Sequence, residues 1–167
     1  MKTKLALFIM VSVGIIVLEA CSGTGSSTPD SVISIAVWDL VDLSPAGHKR
    51  DEMGEMLAGQ VMARFSEMNR FQVVERQNII KAMEELHIGS SDLADGTTRL
   101  KLGRIIGAQQ MVFGAFQVIG SQVRLDLRRV DVSSGKILKT SAATAASNNI
   151  GAWMDVAQQL AGELIDE

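Results

Sequence analysis

Hydrophobic residues along this chain fall first into one uninterrupted run and then into alternating strand and helix periods. Residues 5–18 carry no charge and follow Lys2 and Lys4. From residue 32 onward the apolar segments are shorter and periodic. Segments rich in β-branched residues predict strands, and apolar residues at every third or fourth position predict amphipathic helices. The pattern therefore divides the chain into a leader and one periodic region.

The first half of the periodic region predicts a strand, a helix, a second strand and two more helices. Residues 32–40, VISIAVWDL, are apolar on both faces, as in a buried strand. Pro45 and Gly47 indicate a loop over residues 43–49. A short strand is predicted at 71–74, with one helix before it and two after it. The apolar spacing that predicts the first helix is that of Met53, Met56, Leu57, Val61, Phe65 and Met68. The second is predicted from Ile79, Ile80, Met83 and Leu86, and the third from Leu100, Gly103 and Ile106.

The second half begins with a predicted β-hairpin. Residues 110–119 and 122–132 have the length of strands and are joined by a Gly-Ser pair, which favours a tight turn. Apolar residues alternate along the start of the second strand, but their parity has changed by Val130. This change predicts a β-bulge near Arg128 and Arg129.

A weaker strand and a final helix complete the predicted fold. The strand is predicted over residues 136–144. The final helix is predicted from one apolar face, which is formed by Ile150, Trp153, Met154, Ala157, Leu160, Ala161 and Leu164. The order is β-α-β-α-α-β-β-β-α. We therefore expect a single α/β (α+β) domain over residues 31–167, with a mixed sheet covered by helices and no internal repeat.

Residues 1–20 are predicted to be a lipoprotein signal peptide. The apolar run is shorter than the roughly 20 residues that span a bilayer as a helix. The tetrapeptide Leu-Glu-Ala-Cys that ends at Cys21 resembles a bacterial lipobox, although Glu19 departs from the small or uncharged residue usual there. The resemblance implies lipid attachment to Cys21 and cleavage before it. An ordinary secretory signal and an uncleaved anchor are the alternatives.

The residues after Cys21 predict how the chain is held in the cell. Several acyl chains on one residue anchor a protein stably, whereas a single chain holds it only marginally. Residues 21–30 include a small, polar stretch typical of a flexible tether. Ser22 resembles the residue that directs lipoproteins to the outer membrane. The expected location is the periplasmic face of the outer membrane, with the membrane contacted through the lipid.

The sequence is poor in residues for catalysis or metal binding. His48 and His87 are its two histidines, and a structural or solvated role is expected for each. With Cys21 assigned to lipid, no Cys/His cluster is left to hold zinc. Asp39 and Asp42 follow the first predicted strand, and ligands of α/β sheets bind beyond the carboxyl ends of strands. This pair is a weak candidate acidic site, with a solvated strand end as the alternative, and no cofactor is expected.

Charge argues against nucleic acid as a partner. The net charge is −3 over 167 residues, which gives no general electrostatic attraction to a phosphate backbone. The predicted hairpin places three arginines close together in sequence, with two aspartates among them: Arg124, Arg128 and Arg129, with Asp126 and Asp131. A solvated strand face is the expectation here, and docking of a partner protein is the alternative.

Four segments in order carry a family resemblance: SIAVWDL, RFQVVERQNIIKAMEELHI, LKLGRIIGAQQMVFGAF and VRLDLRRVDVSSGKIL. Together they resemble the CsgG family of curli assembly/transport lipoproteins, and the related TolB amino-terminal and penicillin-binding-protein-activator domains. The resemblance implies structural roles for its motif residues, Glu75, Arg76, Gly103, Gly107 and Gly114. We expect the Glu-Arg pair to fix a strand-to-helix corner, Gly107 to end a helix, and Gly114 to allow a helix to pack closely on a strand.

The function that the resemblance implies is non-catalytic and acts through protein contacts. Assembly or secretion of a surface structure, with protein partners in the cell envelope, is the first hypothesis, and a homo-oligomer is compatible with it. The connection between the first strand and helix is too short for a membrane hairpin of 9–11-residue strands, so no transmembrane barrel is expected. Activation of a peptidoglycan synthase is an alternative. A small ligand-binding module or enzyme that uses Asp39 and Asp42 is another, of a different class.

Overall fold

Six strands form one mixed sheet, and helices cover both of its faces. The structure is a computed structural model and describes residues 32–45, 50–89 and 95–165. Cys21 and His48 lie outside the described residues. The elements, in order, are β1 (Ile33–Val37), β2 (Val41–Asp42), α1 (Asp51–Ser66), β3 (Phe71–Val73), α2 (Arg76–Glu85), α3 (Gly96–Ile105), β4 (Gln110–Ile119), β5 (Gln122–Asp131), β6 (Ile137–Ala146) and α4 (Ile150–Ile165). The predicted α/β domain with a mixed sheet is confirmed.

The sheet has a parallel half and an antiparallel half. Its strand order is β3-β1-β4-β5-β6, with β3, β1 and β4 parallel and with β4, β5 and β6 forming an antiparallel meander. The chain runs from β1 through α1 to β3 over one face of the sheet, and from β3 through α2 and α3 to β4 over the other face. The carboxyl end of β1 is therefore a point where successive connections diverge, and such points leave a crevice in α/β sheets.

The first predicted strand is wrong in its extent, because residues 32–40 do not form one strand. Strand β1 ends at Val37, and the two-residue β2 begins at Val41; both pair in parallel with β4. Between them the Leu40 N–H donates to the Gly54 carbonyl in α1 at 3.2 Å, which draws the chain out of the ladder. The apolar sequence predicted burial here, and the break depends on a contact with a helix far along the chain.

Two apolar cores lie on opposite faces of the sheet. The larger lies under α1 and α4 and contains Leu57, Phe65, Phe116, Leu125 and Trp153. The smaller lies under α2 and α3, and its buried members are Ala36, Trp38, Ile79, Ala82, Leu102, Ala108, Met111, Phe113, Val130 and Val132. The sheet is thus the middle of three layers, which explains why β1 and β4 are apolar on both faces.

The two cores also explain the change of parity along β5. Leu125 and Leu127 face the larger core, whereas Val130 and Val132 face the smaller one. The register between β5 and β6 shifts at Arg129 and Val130, where the bulge was predicted, but this shift does not cause the change of parity in β5. Pairing of β5 with β4 is continuous across the same residues, so the extra residue belongs to β6. Within the described residues no helix is long and apolar enough to cross a membrane.

Candidate functional site

The crevice beyond the carboxyl end of β1 holds a concave, mostly apolar surface that Asp39 lines. It is a recess of about 470 Å³ between the β1–β2 segment and helix α2. Its walls are mostly apolar, with two arginines and Asp39 among them. The lining residues are Val37, Trp38, Asp39, Leu40, Val41, Arg76, Ile79, Ile80, Met83 and Arg99. Mostly apolar walls with a few polar groups are typical of binding sites.

Asp39 is held by an ion-pair network at the mouth of this recess. Its two carboxylate oxygens accept from Nη2 and Nε of Arg76, at 2.7 and 3.2 Å. Nη1 of Arg76 also lies 3.1 Å from a carboxylate oxygen of Glu55. The hydrogen bond to Asp39 raises the pKa of Arg76. Because all three side chains are at least one third exposed, the network positions the start of α2 more than it stabilises the fold.

Asp42 is used differently from Asp39. Its Oδ1 accepts the backbone N–H of Ser44 at 2.7 Å, and its Oδ2 accepts that of Arg50 at 2.8 Å. Asp42 therefore ties the loop that leads into α1 to the end of β2. The structure gives the two aspartates separate partners, one a guanidinium and the other backbone amides. They act as separate structural carboxylates in this conformation.

Trp38 connects the recess to the interior. The residue is 9 % exposed, and its Nε1–H is buried without a hydrogen-bond partner among the described residues. Its indole stacks on Phe113 with ring centroids 6.3 Å apart. A buried donor without an acceptor is costly, on the order of 1–3 kcal/mol, and such groups are rare in folded proteins.

A second concavity adjoins the first on the uncovered face of the meander. It measures about 590 Å³ and shares Val41 and Arg99 with the recess. Guanidinium carbons of Arg99 and Arg128 lie 5.3 and 5.6 Å from the centroid of Phe113. Burial, and then repulsion from Arg128, lower the pKa of Arg99. We call the two concavities together the Trp38 groove, with an apolar half at α2 and a cationic half over β4, β5 and β6.

The three hairpin arginines do not form one face. Arg124 and Arg128 lie on the side of the sheet that carries the Trp38 groove, and Asp126 binds Arg124 through Nε and Nη2 at 2.9 and 2.8 Å. Arg129 points to the opposite side, is 7 % exposed and stacks over Phe71. The expected solvated strand face is confirmed for Arg124 and Arg128, which are exposed, and is wrong for Arg129, because consecutive residues of a strand face opposite ways.

The motif residues lie at three separate places around the groove. Glu75 precedes α2, and its carbonyl accepts the N–H of Asn78 at 3.0 Å. Gly103 packs on the side chain of Met111 in β4, so α3 approaches the sheet closely at this glycine. Gly107, with a φ of +73°, ends that helix in the left-handed region.

Gly114 is crowded for a different reason from the one expected. The atoms nearest to a Cβ at this position would belong to Leu127 and Asp126 of the neighbouring strand and to Leu40 of the β1–β2 segment, and not to a helix. His87 is exposed, with a φ of +53°, directly beyond α2. Among the described residues, no group of three or more His, Cys, Asp or Glu side chains is placed to hold a metal ion.

Sequence reasoning missed several residues of the groove. Trp38, Ile79 and Met83 were assigned to strand and helix periods, and no signal marked them as lining a surface. Arg99 had no motif around it. The one usable signal was the pairing of Trp with Asp at the end of the first strand, because an aromatic residue beside a charge suits the rim of a crevice.

The comparisons with known proteins agree with this architecture. The family model described as curli production assembly/transport component CsgG matches residues 18–124, more than half of the chain. No curated protein matches the chain. The structure is similar to the LpoB C-terminal domain from Salmonella enterica, with a TM-score of 0.57 and 15 % identity over 72 % of this chain and 87 % of that one.

Two further solved structures share the fold. Lipoprotein GNA1162 from Neisseria meningitidis has a TM-score of 0.58 and 19 % identity, and the match covers 80 % of this chain and 99 % of that one. A PelC dodecamer from Paraburkholderia phytofirmans has a TM-score of 0.50 and 11 % identity, over 81 % and 86 % of the two chains. At these identities the likeness concerns the fold alone.

Proposed function

This chain belongs to the CsgG family, and from that premise we propose that it is a non-catalytic lipoprotein of the cell envelope that acts through protein contacts. Assembly or secretion of a surface structure is the role we assign to it. The observation that carries the proposal is the family match over residues 18–124, which takes in Cys21, the strands from β1 to β4 and the start of β5.

The geometry of the best acidic candidates supports a binding role over a catalytic one. Asp39 is engaged by Arg76, and Asp42 accepts two backbone amides. A carboxylate that acts in acid–base catalysis must reach the proton it transfers, so a side chain committed to a structural partner is poorly placed for it. The surface beside them is a groove of the size and composition that suits a segment of another molecule.

Anchoring through Cys21 is part of the proposal. Residues 1–20 are proposed as the signal peptide, residues 21–30 as the tether, and residues 31–167 as the interacting domain. The tether reaches at most about 30 Å, so the domain would work close to the membrane surface. We propose the periplasmic face of the outer membrane as that surface.

Metabolic labelling with radioactive palmitate tests the anchor. Wild type should incorporate label and fractionate with membranes, and Cys21→Ser should do neither. Ser22→Ala is the matched control, since it changes a neighbouring small residue and leaves the thiol in place. Label retained on Cys21→Ser would refute lipid attachment at this residue.

Cross-linking and affinity capture from the native envelope test the role. Components of a secretion or surface-assembly system should be recovered with wild type and lost with Cys21→Ser. Recovery of a peptidoglycan synthase would instead support the alternative that the related activator domains imply. Size determination of the detergent-extracted protein, done in parallel, tests self-association.

A further inference from the structure

The Trp38 groove has two chemically different halves that form one continuous surface. Val41 and Arg99 line both, and Phe113 bridges them because Trp38 stacks on it from one half while Arg128 lies against it in the other. A ligand that fills the apolar half is therefore in reach of the guanidinium groups. The groove should be recognised as a unit.

Charge is concentrated in the cationic half. Three arginines and one aspartate line it, in a chain whose net charge is −3. Arg124 is neutralised by Asp126. Asp95, at the start of α3, also attracts Arg99. Two like charges that share one aromatic ring favour an anionic group between them.

The apolar half offers a concave surface lined by side chains of α2 and of the β1–β2 segment. Ile80, at 37 % exposed, and Met83 line it from α2, and β2 closes the other side with Val41, at 43 % exposed. Trp38 also lines this half, and its Nε1–H is enclosed without an acceptor among the described residues. An extended segment suits a continuous groove with two halves, because every second side chain of such a segment faces the same way.

We propose that the Trp38 groove binds an extended segment of a protein partner, with an apolar side chain in the apolar half and an Asp or Glu side chain between Arg99 and Arg128. This inference rests on the proposed interaction function and names the chemistry of the partner. The Trp38 ring and the Arg128 guanidinium are at most about 12 Å apart, the length of three to four extended residues at about 3.3 Å each. Side chains two positions apart face the same way in an extended segment, and a spacing of four would exceed this distance. The acidic residue should therefore follow or precede the apolar one by two positions.

The test is selection of random linear peptides displayed against the full chain in detergent. Enriched sequences should pair a large apolar residue with Asp or Glu at that spacing. An enriched peptide, made with a fluorescein label, then serves as the probe in anisotropy titrations. Basic or purely apolar enriched sequences, or no enrichment, would overturn the proposal.

Three variants locate the binding. Arg128→Glu and Ile80→Glu change exposed residues of the two halves and should each weaken the labelled peptide about tenfold or more, because a lost charge-assisted hydrogen bond or buried apolar contact has that effect. Arg104→Glu is the matched control, since Arg104 is exposed on the same helix as Arg99 and lies outside the groove; it should bind as wild type does. Equal loss in all three would refute the assignment to the groove.

Two further outcomes distinguish peptide binding in the groove from membrane binding and from the proposed function. Binding of the chain to anionic vesicles that is abolished by Arg128→Glu, without any peptide selectivity, would overturn the proposal in favour of a membrane surface. Peptide binding that fails while envelope partners are still captured would refute the groove and leave the proposed function standing. Raising the salt concentration should weaken the peptide, since its anchor is ionic.

Discussion

Gly54 lies where helix α1 meets the break between β1 and β2, and it has no room for a side chain. A Cβ at this position would collide with the carbonyl oxygen of Leu40 and lie 3.2 Å from its carbonyl carbon. The same two residues are joined by the backbone hydrogen bond that interrupts the strand. Because the obstacle is backbone, a rotamer change cannot relieve it. Gly54→Ala must push the start of α1 away from the segment that carries Trp38 and Asp39.

The magnitude follows from opposing effects. Alanine in place of glycine within a helix gains about 1 kcal/mol. Overpacking a closed contact costs about 1–3 kcal/mol, and loss of the Leu40–Gly54 hydrogen bond costs about 1 kcal/mol more. We therefore expect Gly54→Ala to lower the free energy of unfolding by about 1–3 kcal/mol.

Gly59 is the matched control on the same helix. A Cβ there meets nothing within 4 Å, so Gly59→Ala should raise the free energy of unfolding by about 0.5–1 kcal/mol. Urea titration followed by circular dichroism measures both variants, and the slope of each transition should stay unchanged. If Gly54→Ala were stabilised as much as Gly59→Ala, the close contact at Leu40 would be refuted, and with it the explanation of the broken strand.

Two further substitutions test the ends of the antiparallel half. Asp131 accepts hydrogen bonds from Ser133 and Ser134, which lower its pKa from 3.8 to about 2; the stability this gives is present above pH 4 and is lost as pH falls toward 2. Asp131→Asn should thus be less stable than wild type at pH 7 and equal to it near pH 2 in denaturant titrations, and a gap independent of pH would contradict this. Trp153 is fully buried and donates to the Ala146 carbonyl at 2.8 Å. Trp153→Phe should therefore lower the free energy of unfolding by about 1–3 kcal/mol, which thermal denaturation measures. An unchanged melting temperature would refute that hydrogen bond.

The order of elements was largely available from the sequence. Apolar spacing predicted all four helices and the meander, because each element buries one face or both against a core and its period follows from its geometry. Asp95 shows how local such signals are: it precedes α3 and accepts the N–H of Thr98 at 2.9 Å, a contact between near neighbours in sequence.

The candidate site was only partly predictable. Asp39 was found because it ends a strand, but its partner Arg76 begins α2, and nothing local in the sequence joins the two. Arg99 and Arg128 meet over Phe113 from a helix and a strand that are distant along the chain. Contacts of this kind depend on where the sheet places its strands, and spacing along the chain does not encode them.

The sequence by itself determined the periods and the family resemblance, and it predicts a leader that ends at the single cysteine. Those are local properties, set by which residues repeat at which interval. The tertiary structure decided that β1 breaks before β2, that Arg129 and Arg128 serve opposite faces, and that an apolar recess continues into a cationic one. The physical reason is that each of these depends on side chains from separate elements competing for the same space, which is settled only when the layers pack.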